Sequence, residues 1–360
     1  MMHVALLANT AWLDEELPSF RQLVVGLLGE QVRVAQVVPQ YLPLDEPSVF
    51  GERIYWQESR LGPLNRMRLE KLARPLARLD IDLVHVLDGR LWAGGAALAR
   101  RLERPAVFNA NSHLDIRLAE TVTRRLGPHH AALAATTEPI ADALRQRLDG
   151  SYSLDTIFPG AHSAEPVRRR QPDDPMCVIV SGDGRLDARY AGLLEALRRV
   201  IERSPGSQFF FDGQGSDQHQ IWQAASRLGL LGNLSMIPRR LGHRELLVRA
   251  DVLIQPQALG RSRSLTLQAM AHGLVVIAQD DPWLDYLLDG ETARVVHEPD
   301  ASGWTQAMLE FLEHPERAET LGAAAQRWIR ENRLASAHLE QTLSLYHRIA
   351  GTSIPFPGAA

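Results

Sequence analysis

Short apolar runs alternate with longer stretches in which apolar residues recur at helical spacing. The clearest apolar runs lie at Val4–Ala8, Ile81–Leu87, Cys177–Val180 and Asp251–Pro256. Continuous apolar runs of this length are typical of strands in a parallel sheet, which is covered on both faces. Their alternation with helical patterns predicts α/β domains built from strand–loop–helix units.

The first unit of this pattern opens the chain. Val4–Ala8 predicts a strand, Asn9–Pro18 a long loop, Phe20–Gly29 a helix and Val32–Val38 the next strand. The region 15–19, where this loop ends, has no glycine and carries two carboxylates, Glu15 and Glu16. Such a loop is expected to repel a phosphate group, because both charges are negative.

A second unit of the same kind spans Ala250–Ala278. Its strand is followed by a polar loop, Gln257–Ser264, and by a helix, Leu265–His272, that ends at a glycine. In open α/β sheets, ligands bind where such a loop leaves the carboxyl end of a strand. Because a helix start attracts anions, Arg261 and Arg263 beside it indicate a phosphate site.

Composition narrows the class of protein. With 360 residues the chain can form two domains with separate cores, and its net charge of -4 does not favour nucleic acid as a partner. One cysteine, Cys177, excludes an intrachain disulfide and fits a reducing compartment. No apolar run approaches the ~18 residues of a membrane span, and the N-terminus has no signal-peptide pattern. We therefore expect a cytoplasmic protein.

Charge and proline content place the domain boundary. The segment 163–175 contains three prolines and the run Arg168–Arg170, as a solvated linker does. We expect an N-terminal domain at residues 1–165, a C-terminal domain at 166–335 and a final helix with its tail at 336–360.

A basic helical stretch is predicted over Trp56–Leu79, where arginines and one lysine alternate with leucines and a methionine. A surface helix with a solvated face is one interpretation. The other is peripheral contact with the anionic inner face of a membrane.

The stretch 250–278 resembles the nucleotide-sugar loop of family 4 glycosyltransferases. There, Pro-Ser-x-x-Glu-Gly-Phe-Gly leads into Glu-Ala-Met-Ala-x-Gly-x-Pro-Val. The matching residues here are Pro256, Ala269, Met270, Ala271, Gly273 and Val276. Asp289–Ala293 is also similar to the family's Asp-Gly-x-Thr-Gly. The two signature glutamates of the family are replaced, by Gly260 and Gln268.

The resemblance covers nearly the whole chain and implies a fold. That fold is GT-B, an α/β architecture of two Rossmann-like domains facing across a cleft. Its C-terminal helix crosses back to the N-terminal domain. The resemblance further implies metal-independent transfer of a sugar with retention, with a nucleotide-sugar as donor substrate and no other cofactor.

Site residues follow from the same resemblance. The family's phosphate-binding arginine and lysine fall on Asp183 and Ala188, but Arg185 and Arg189 lie close by. The candidate donor-binding residues are Arg185, Arg189, Arg261, Ser262, Arg263, Ser264 and Gln268. The other interpretation of these arginines is that they are surface residues that only keep the protein soluble. The family's donor-side histidine falls on Asn111, and His113 lies two residues on; both are candidate catalytic residues. The spacing of His129 and His130 indicates no metal site.

Two functions remain open from the sequence. The first is a divergent retaining glycosyltransferase of the hexosyltransferase type, acting on a glycan, lipid or small-molecule acceptor. The alternative is a non-catalytic GT-B protein that binds a ligand or a protein partner. A GT-B epimerase would need acid and base residues that the spacing does not reveal.

Overall fold

The structure is a computed structural model that describes residues 1–40, 51–59, 62–148, 150, 152–162, 170–171, 174–182, 186–213, 218–238 and 246–351. The described chain forms two compact units. The first comprises Met1–Pro159, Gly260–Ser262 and Ala335–Ala360, and the second comprises Gly160–Leu259 and Arg263–Leu334. The predicted linker arginines 168 and 169 and the candidate Arg185 lie outside the described residues.

The first unit is built on a seven-stranded, fully parallel sheet of order β3-β2-β1-β4-β5-β6-β7. Its strands are β1 His3–Leu7, β2 Arg33–Pro39, β3 Glu52–Trp56, β4 Leu83–Val86, β5 Ala106–Ala110, β6 Ala131–Ala135 and β7 Ser153–Thr156. Its helices are α1 Thr10–Gly29, α2 Gly62–Glu70, α3 Ala73–Arg78, α4 Trp92–Leu102, α5 Ile116–Leu126 and α6 Glu138–Arg147.

The second unit has a six-stranded parallel sheet of order β10-β9-β8-β11-β12-β13. Its strands are β8 Cys177–Ser181, β9 Gln208–Gly213, β10 Leu234–Pro238, β11 Val252–Gln255, β12 Val275–Gln279 and β13 Arg294–Val296. Its helices are α7 Ala188–Arg203, α8 Gln218–Arg227, α9 Ser264–Ala271, α10 Ala301–Glu313 and α11 Pro315–Asn332.

The last helix, α12 Ala335–Ala350, belongs to the first unit. It packs against α1, where Gly26 leaves room for Leu339: a Cβ at Gly26 would lie 2.8 Å from a Leu339 methyl group. Tyr346 and Ile349 of α12 are buried in the core around β1 and β4. The expected return of the final helix to the N-terminal domain is therefore present.

Each sheet is covered by helices on both faces, as its burial shows. Every residue of β1, β4, β6 and β11 is buried. Side chains that point to opposite faces of one strand are both removed from water only if both faces are covered. The predicted fold class, two Rossmann-like α/β domains with parallel sheets, is confirmed.

The prediction of a loop over Asn9–Pro18 is wrong. The chain is helical from Thr10, because Asn9 caps the helix by accepting a hydrogen bond from the backbone N–H of Trp12 at 2.7 Å. Glu16 has non-helical backbone angles and marks a kink just before Pro18. A proline interrupts helical hydrogen bonding but is tolerated in a first turn, so it begins a second segment of the helix.

The prediction of one helical stretch over Trp56–Leu79 also needs correction. Trp56 ends β3, and the helical residues divide into α2 and α3. No helix in the described residues combines the length and the hydropathy that a membrane-spanning helix needs.

Candidate functional site

The order of strands in the second sheet reverses between β8 and β11. From β8 the chain moves outward to β9 and β10, and from β11 it moves the other way to β12 and β13. A crevice forms at such a switch point, outside the carboxyl ends of the two central strands. The residues that follow β8 and β11 are therefore the first place to look for a ligand site.

Arg263 lies at this switch point. Its Nη1 donates a hydrogen bond to Oγ of Ser181, the last residue of β8, at 2.9 Å. Only 4% of Arg263 is exposed, and Ser264, the next residue, begins α9. A buried guanidinium and a helix N-terminus both favour negative charge, so together they indicate an anion site.

Polar contacts fix the loops around Arg263. The backbone N–H of Arg263 donates to the hydroxyl of Tyr286 at 3.4 Å, a long hydrogen bond. At the end of β11, the Gln255 Oε1 accepts from Thr266 Oγ1 at 2.9 Å, which ties the strand to α9. Both Gln255 and Thr266 are buried. The start of α9 is therefore held in place before any ligand arrives.

Asp187 organises the neighbouring helix start. Its Oδ1 accepts from the backbone N–H groups of Arg189 and Tyr190, both at 3.0 Å, and so caps α7. The side chain of Arg189 is 45% exposed, and its Nη1 lies 3.7 Å from the other carboxylate oxygen of Asp187. Gln257 Nε2 approaches the same carboxylate at 3.5 Å.

The carboxyl edge of the first sheet carries a second polar cluster, also at a switch point, between β1 and β4. Asn9 Nδ2 donates to Asp88 Oδ1 at 2.8 Å, and both residues are buried. Arg90 makes a bidentate contact with Asp88, through Nε at 2.9 Å and Nη2 at 3.0 Å. The Asp88 hydrogen bond raises the pKa of Arg90, so the guanidinium remains charged.

The N-terminus of α1 at this edge already holds a carboxylate. Oε2 of Glu58 accepts from the backbone N–H of Thr10 at 2.9 Å. The adjacent Asn9 side chain accepts from Trp12 N–H. The positive end of this helix is therefore neutralised by the chain's own side chains.

Asp115 closes the loop between β5 and α5. Its Oδ2 accepts from the backbone N–H groups of Asn111 at 2.9 Å and Ser112 at 3.0 Å. Burial, and then the nearby charge of Asp88, raise the pKa of Asp115 to about 7. An acid with this pKa exchanges protons near neutral pH.

The same loop pairs with residues 260–262, which belong to the first unit. The backbone N–H of His113 donates to the Gly260 carbonyl at 3.0 Å, and Ser262 N–H donates to the Asn111 carbonyl at 3.3 Å. Arg261 Nη2 forms an ion pair with Glu15 Oε1 at 2.8 Å. The carboxylate that was expected to repel phosphate thus neutralises an arginine that was expected to bind it.

The predicted site residues therefore fall into groups. Arg263, Ser264 and Gln268 lie on or beside α9, where Gln268 is partly buried. The residues brought together in the first unit are Asn111, His113, Arg261 and Ser262. Asn111 uses its Nδ2 to bind the Leu87 carbonyl at 2.6 Å. Donor binding by these residues stays a prediction.

Sequence reasoning missed the groups that hold these residues in place: Ser181, Asp187, Asp88, Asp115 and Glu58. Two of them could have been found from the sequence. Ser181 and Asp88 are polar residues that directly follow a predicted apolar strand, the position where ligands bind in parallel sheets. Across the described part of the chain, no group of three or more His, Cys, Asp or Glu side chains is placed to hold a metal ion.

Residues 163–328 match the family model of glycosyl transferases group 1. This range includes β8 to β13 and the switch point with Arg263 and Ser181. The match does not extend over the first unit's sheet.

Two curated relatives share 26% identity with the chain. One is the GDP-mannose-dependent alpha-(1-6)-phosphatidylinositol monomannoside mannosyltransferase of Mycolicibacterium smegmatis, aligned over 76% of this chain and 79% of the relative. The other is trehalose synthase of Pyrococcus horikoshii, aligned over 49% of this chain and 46% of the relative. The chain thus spans less than half the length of that synthase.

Solved structures share the fold over almost the whole chain. Sucrose-phosphate synthase from Thermosynechococcus elongatus superimposes with a TM-score of 0.78 at 20% identity, covering 98% of this chain and 100% of the other. Anabaena HepE in complex with UDP-glucose gives a TM-score of 0.73 at 15% identity, covering 96% and 100%. These likenesses show that the chain has the GT-B fold.

Proposed function

We propose that this protein is a glycosyltransferase that transfers a sugar from a nucleotide-sugar to an acceptor hydroxyl, with retention and without a metal ion. The observation that carries the proposal is the buried Arg263 guanidinium, held by Ser181 at the switch point of the second sheet and at the start of α9. The match of residues 163–328 to glycosyl transferases group 1 supports this assignment.

The diphosphate of the donor is the anion that this site is proposed to bind. As the bond to the sugar breaks, negative charge builds on the leaving diphosphate. A preorganised cation and helix N-terminus stabilise that charge more than they stabilise the intact donor. In this proposal Arg263 and the amides at the start of α9 bind the phosphates, Arg185 and Arg189 add positive charge, and Gln268 hydrogen-bonds the ribose.

The names of the relatives support a nucleotide-sugar as donor. One curated relative is named as using GDP-mannose, and one solved neighbour was crystallised with UDP-glucose. Both names describe those proteins and not this chain. Guanosine and uridine nucleotides are therefore the two classes to compare first in experiments on this chain. The acceptor is proposed to be a glycan, a lipid or a small molecule with a free hydroxyl group.

Thermal unfolding with a panel of nucleotides tests the proposal. The panel contains UDP, GDP and ADP with their glucose and mannose derivatives. A ligand present at about 100 times its Kd stabilises the native state by about 2.7 kcal/mol. We expect one nucleotide class to raise the Tm of the native protein, and turnover assays then use that donor.

Matched variants show which residues the nucleotide-induced rise in Tm depends on. Arg263→Gln and Arg185→Ala are expected to lose most of the nucleotide-induced shift. Arg198→Ala, which removes an arginine from the exposed face of α7, is expected to retain it. If no nucleotide raises the Tm of the native protein, the donor-site assignment is wrong.

A non-catalytic GT-B protein is the second candidate. Neither Gly260 nor Gln268 supplies the acidic group found at these positions in the family that the sequence resembles. Stabilisation by a nucleotide-sugar without any product in a long incubation with candidate acceptors would favour this candidate.

A further inference from the structure

The faces of α2 and α3 that turn away from the core combine exposed apolar side chains with cations. Leu64 is 37% exposed and Met67 is 54% exposed. Lys71, Arg74 and Arg78 are exposed as well. We call these five residues the α2–α3 face.

The opposite side of the same helices packs against the rest of the first unit. Leu69 and Leu76 have no exposed surface, and Ala73 is 5% exposed. Leu69 packs over Gly94 of α4, where an added Cβ would lie 2.6 Å from its methyl group. The α2–α3 face is therefore not needed to attach these helices to the sheet.

The structure divides the cations of this segment into two kinds. Arg66 forms an ion pair with Glu70 at 3.0 Å. Arg68 donates to the main-chain carbonyls of Gln57 at 2.9 Å and Glu58 at 3.2 Å, so it serves the local fold. By contrast, Lys71, Arg74 and Arg78 form no ion pair with any residue that the structure describes.

We propose that the α2–α3 face docks the protein on an anionic lipid surface. The three exposed cations are complementary to anionic headgroups, whose negative surface potential attracts Lys and Arg side chains near the membrane. Leu64 and Met67 supply the apolar contact with the acyl boundary that a purely electrostatic partner would not require.

A nucleic acid is the less suitable occupant of this face. The segment α2–α3 contains no aromatic side chain for base stacking, and the chain has a net charge of -4. The sequence prediction of membrane contact over Trp56–Leu79 is thus restricted to five residues, and Arg66 and Arg68 are excluded from them.

The segment that carries the α2–α3 face runs between the two edges of the first sheet, since the Leu79 carbonyl after α3 contacts Nδ1 of His3, at the start of β1, at 2.7 Å. The α2 helix begins shortly after Glu58, whose carboxylate contacts Thr10 N–H at the carboxyl edge of that sheet. The same edge holds the cluster of Asn9, Asp88 and Arg90. The docking itself does not depend on the proposed transfer reaction.

Vesicle flotation of the full chain tests the proposal. One set of vesicles is phosphatidylcholine alone, and in the other about one third of the lipid is phosphatidylglycerol, each at about 0.1 M and 0.5 M salt. We expect binding to the anionic vesicles, little to the neutral ones, and weaker binding at high salt. The triple variant Lys71→Gln, Arg74→Gln, Arg78→Gln is expected to bind the anionic vesicles at least tenfold more weakly.

Two matched variants show whether vesicle binding depends on the α2–α3 face or only on the net charge of the chain. Arg198→Gln, Arg199→Gln, Arg203→Gln removes three exposed arginines from α7 in the second unit and is expected to bind as the native chain does. Leu64→Gln, Met67→Gln keeps every cation and is expected to lose the binding that remains at high salt. The Tm and circular dichroism of all variants check that they are folded.

Several results would overturn the proposal. One is an equal loss of vesicle binding in the α2–α3 triple variant and in the α7 triple variant. The others are equal binding of the native chain to neutral and anionic vesicles, and no binding of the native chain to either. Binding to heparin or RNA without binding to vesicles would assign the face to another kind of partner. Nucleotide stabilisation is measured separately, so its failure is distinguishable from a failure of docking.

Discussion

His113 occupies the space above Gly260. A Cβ added to Gly260 would lie 2.0 Å from Nδ1 of His113 and 2.7 Å from its Cε1. Gly260 also has φ of 59°, in the left-handed region that favours glycine. The position aligned with a signature glutamate therefore cannot carry a side chain while His113 keeps its place.

Gly260→Glu is expected to destabilise the protein because it introduces both a clash and backbone strain. Backbone strain of this kind costs about 1–3 kcal/mol. Adding His113→Ala removes the clash and leaves the strain, so the double variant is expected to be more stable than Gly260→Glu with His113 intact. Urea unfolding of the four proteins gives the coupling energy, which is expected to be about 0.5–3 kcal/mol. A coupling energy near zero would show that the His113 ring is free to move away.

The apolar runs were sufficient to predict the two parallel-sheet domains, because a strand buried on both faces leaves an unmistakable pattern. They were not sufficient at Asn9–Pro18, where a cap and a kink decide the structure. Asn9 and Pro18 are common in loops as well as at helix starts, so local composition did not distinguish the two. Helical capping by Asn9 became evident only from its contact with Trp12.

The site shows a similar limit. Arg263 was predicted from its position before a helix, which is a local feature. Its partner Ser181 lies 82 residues earlier, and only the order β8–β11 brings the two together. Arg261 has a similar local position and was predicted to bind phosphate as well. Its guanidinium instead forms an ion pair with Glu15. Long-range pairing of strands and loops is set by tertiary packing, which neighbouring residues do not encode.

Ser181→Ala is expected to weaken both stability and nucleotide binding. The variant removes the hydroxyl that accepts from Arg263 Nη1 in a place where Ser181 is 1% exposed. Removing one partner of a buried hydrogen bond costs about 1–3 kcal/mol. Urea unfolding measures the stability, and the Tm shift with the stabilising nucleotide measures the binding. Ser226→Ala, at an exposed position of α8, is the control and is expected to change neither.

Asp115 is expected to make the protein less stable as the pH rises. Burial and the charge of Asp88 raise its pKa from 3.8 to about 7 in the folded state. A group whose folded pKa lies above its unfolded value contributes stability that is complete below pH 3.8 and is lost as the pH rises through 7. Asp115→Asn removes this titration and retains an oxygen for the Asn111 and Ser112 N–H groups.

The difference in unfolding free energy between Asp115→Asn and the native chain is therefore expected to shift in favour of the variant from about pH 4 to about pH 7, the interval between the ordinary and the raised pKa of Asp115. Comparing the two proteins at each pH cancels the contributions of other titrating groups. Asp80→Asn, at a position 87% exposed in its side chain, is the matched control for the substitution itself. Parallel profiles for Asp115→Asn and the native chain would contradict the raised pKa.

Tyr346→Phe is expected to loosen the attachment of α12 to the first sheet. The Tyr346 hydroxyl lies 2.5 Å from Nδ1 of His85, and the other ring nitrogen of His85 lies 2.7 Å from Asn109 Oδ1. Because Oδ1 only accepts, Nε2 of His85 carries the proton and Nδ1 accepts from Tyr346. Burial lowers the pKa of His85 to about 4, so the ring is neutral at pH 7 and needs this donor.

Phenylalanine preserves the packing of the ring but leaves Nδ1 of His85 buried without its donor. The expected cost is about 1–3 kcal/mol in the free energy of unfolding at pH 7, measured with urea. Tyr55→Phe is the matched control, since Tyr55 is 49% exposed and its change is expected to stay within about 0.5 kcal/mol. A cost for Tyr346→Phe no larger than that of the control would mean that the hydrogen bond does not hold α12 in place.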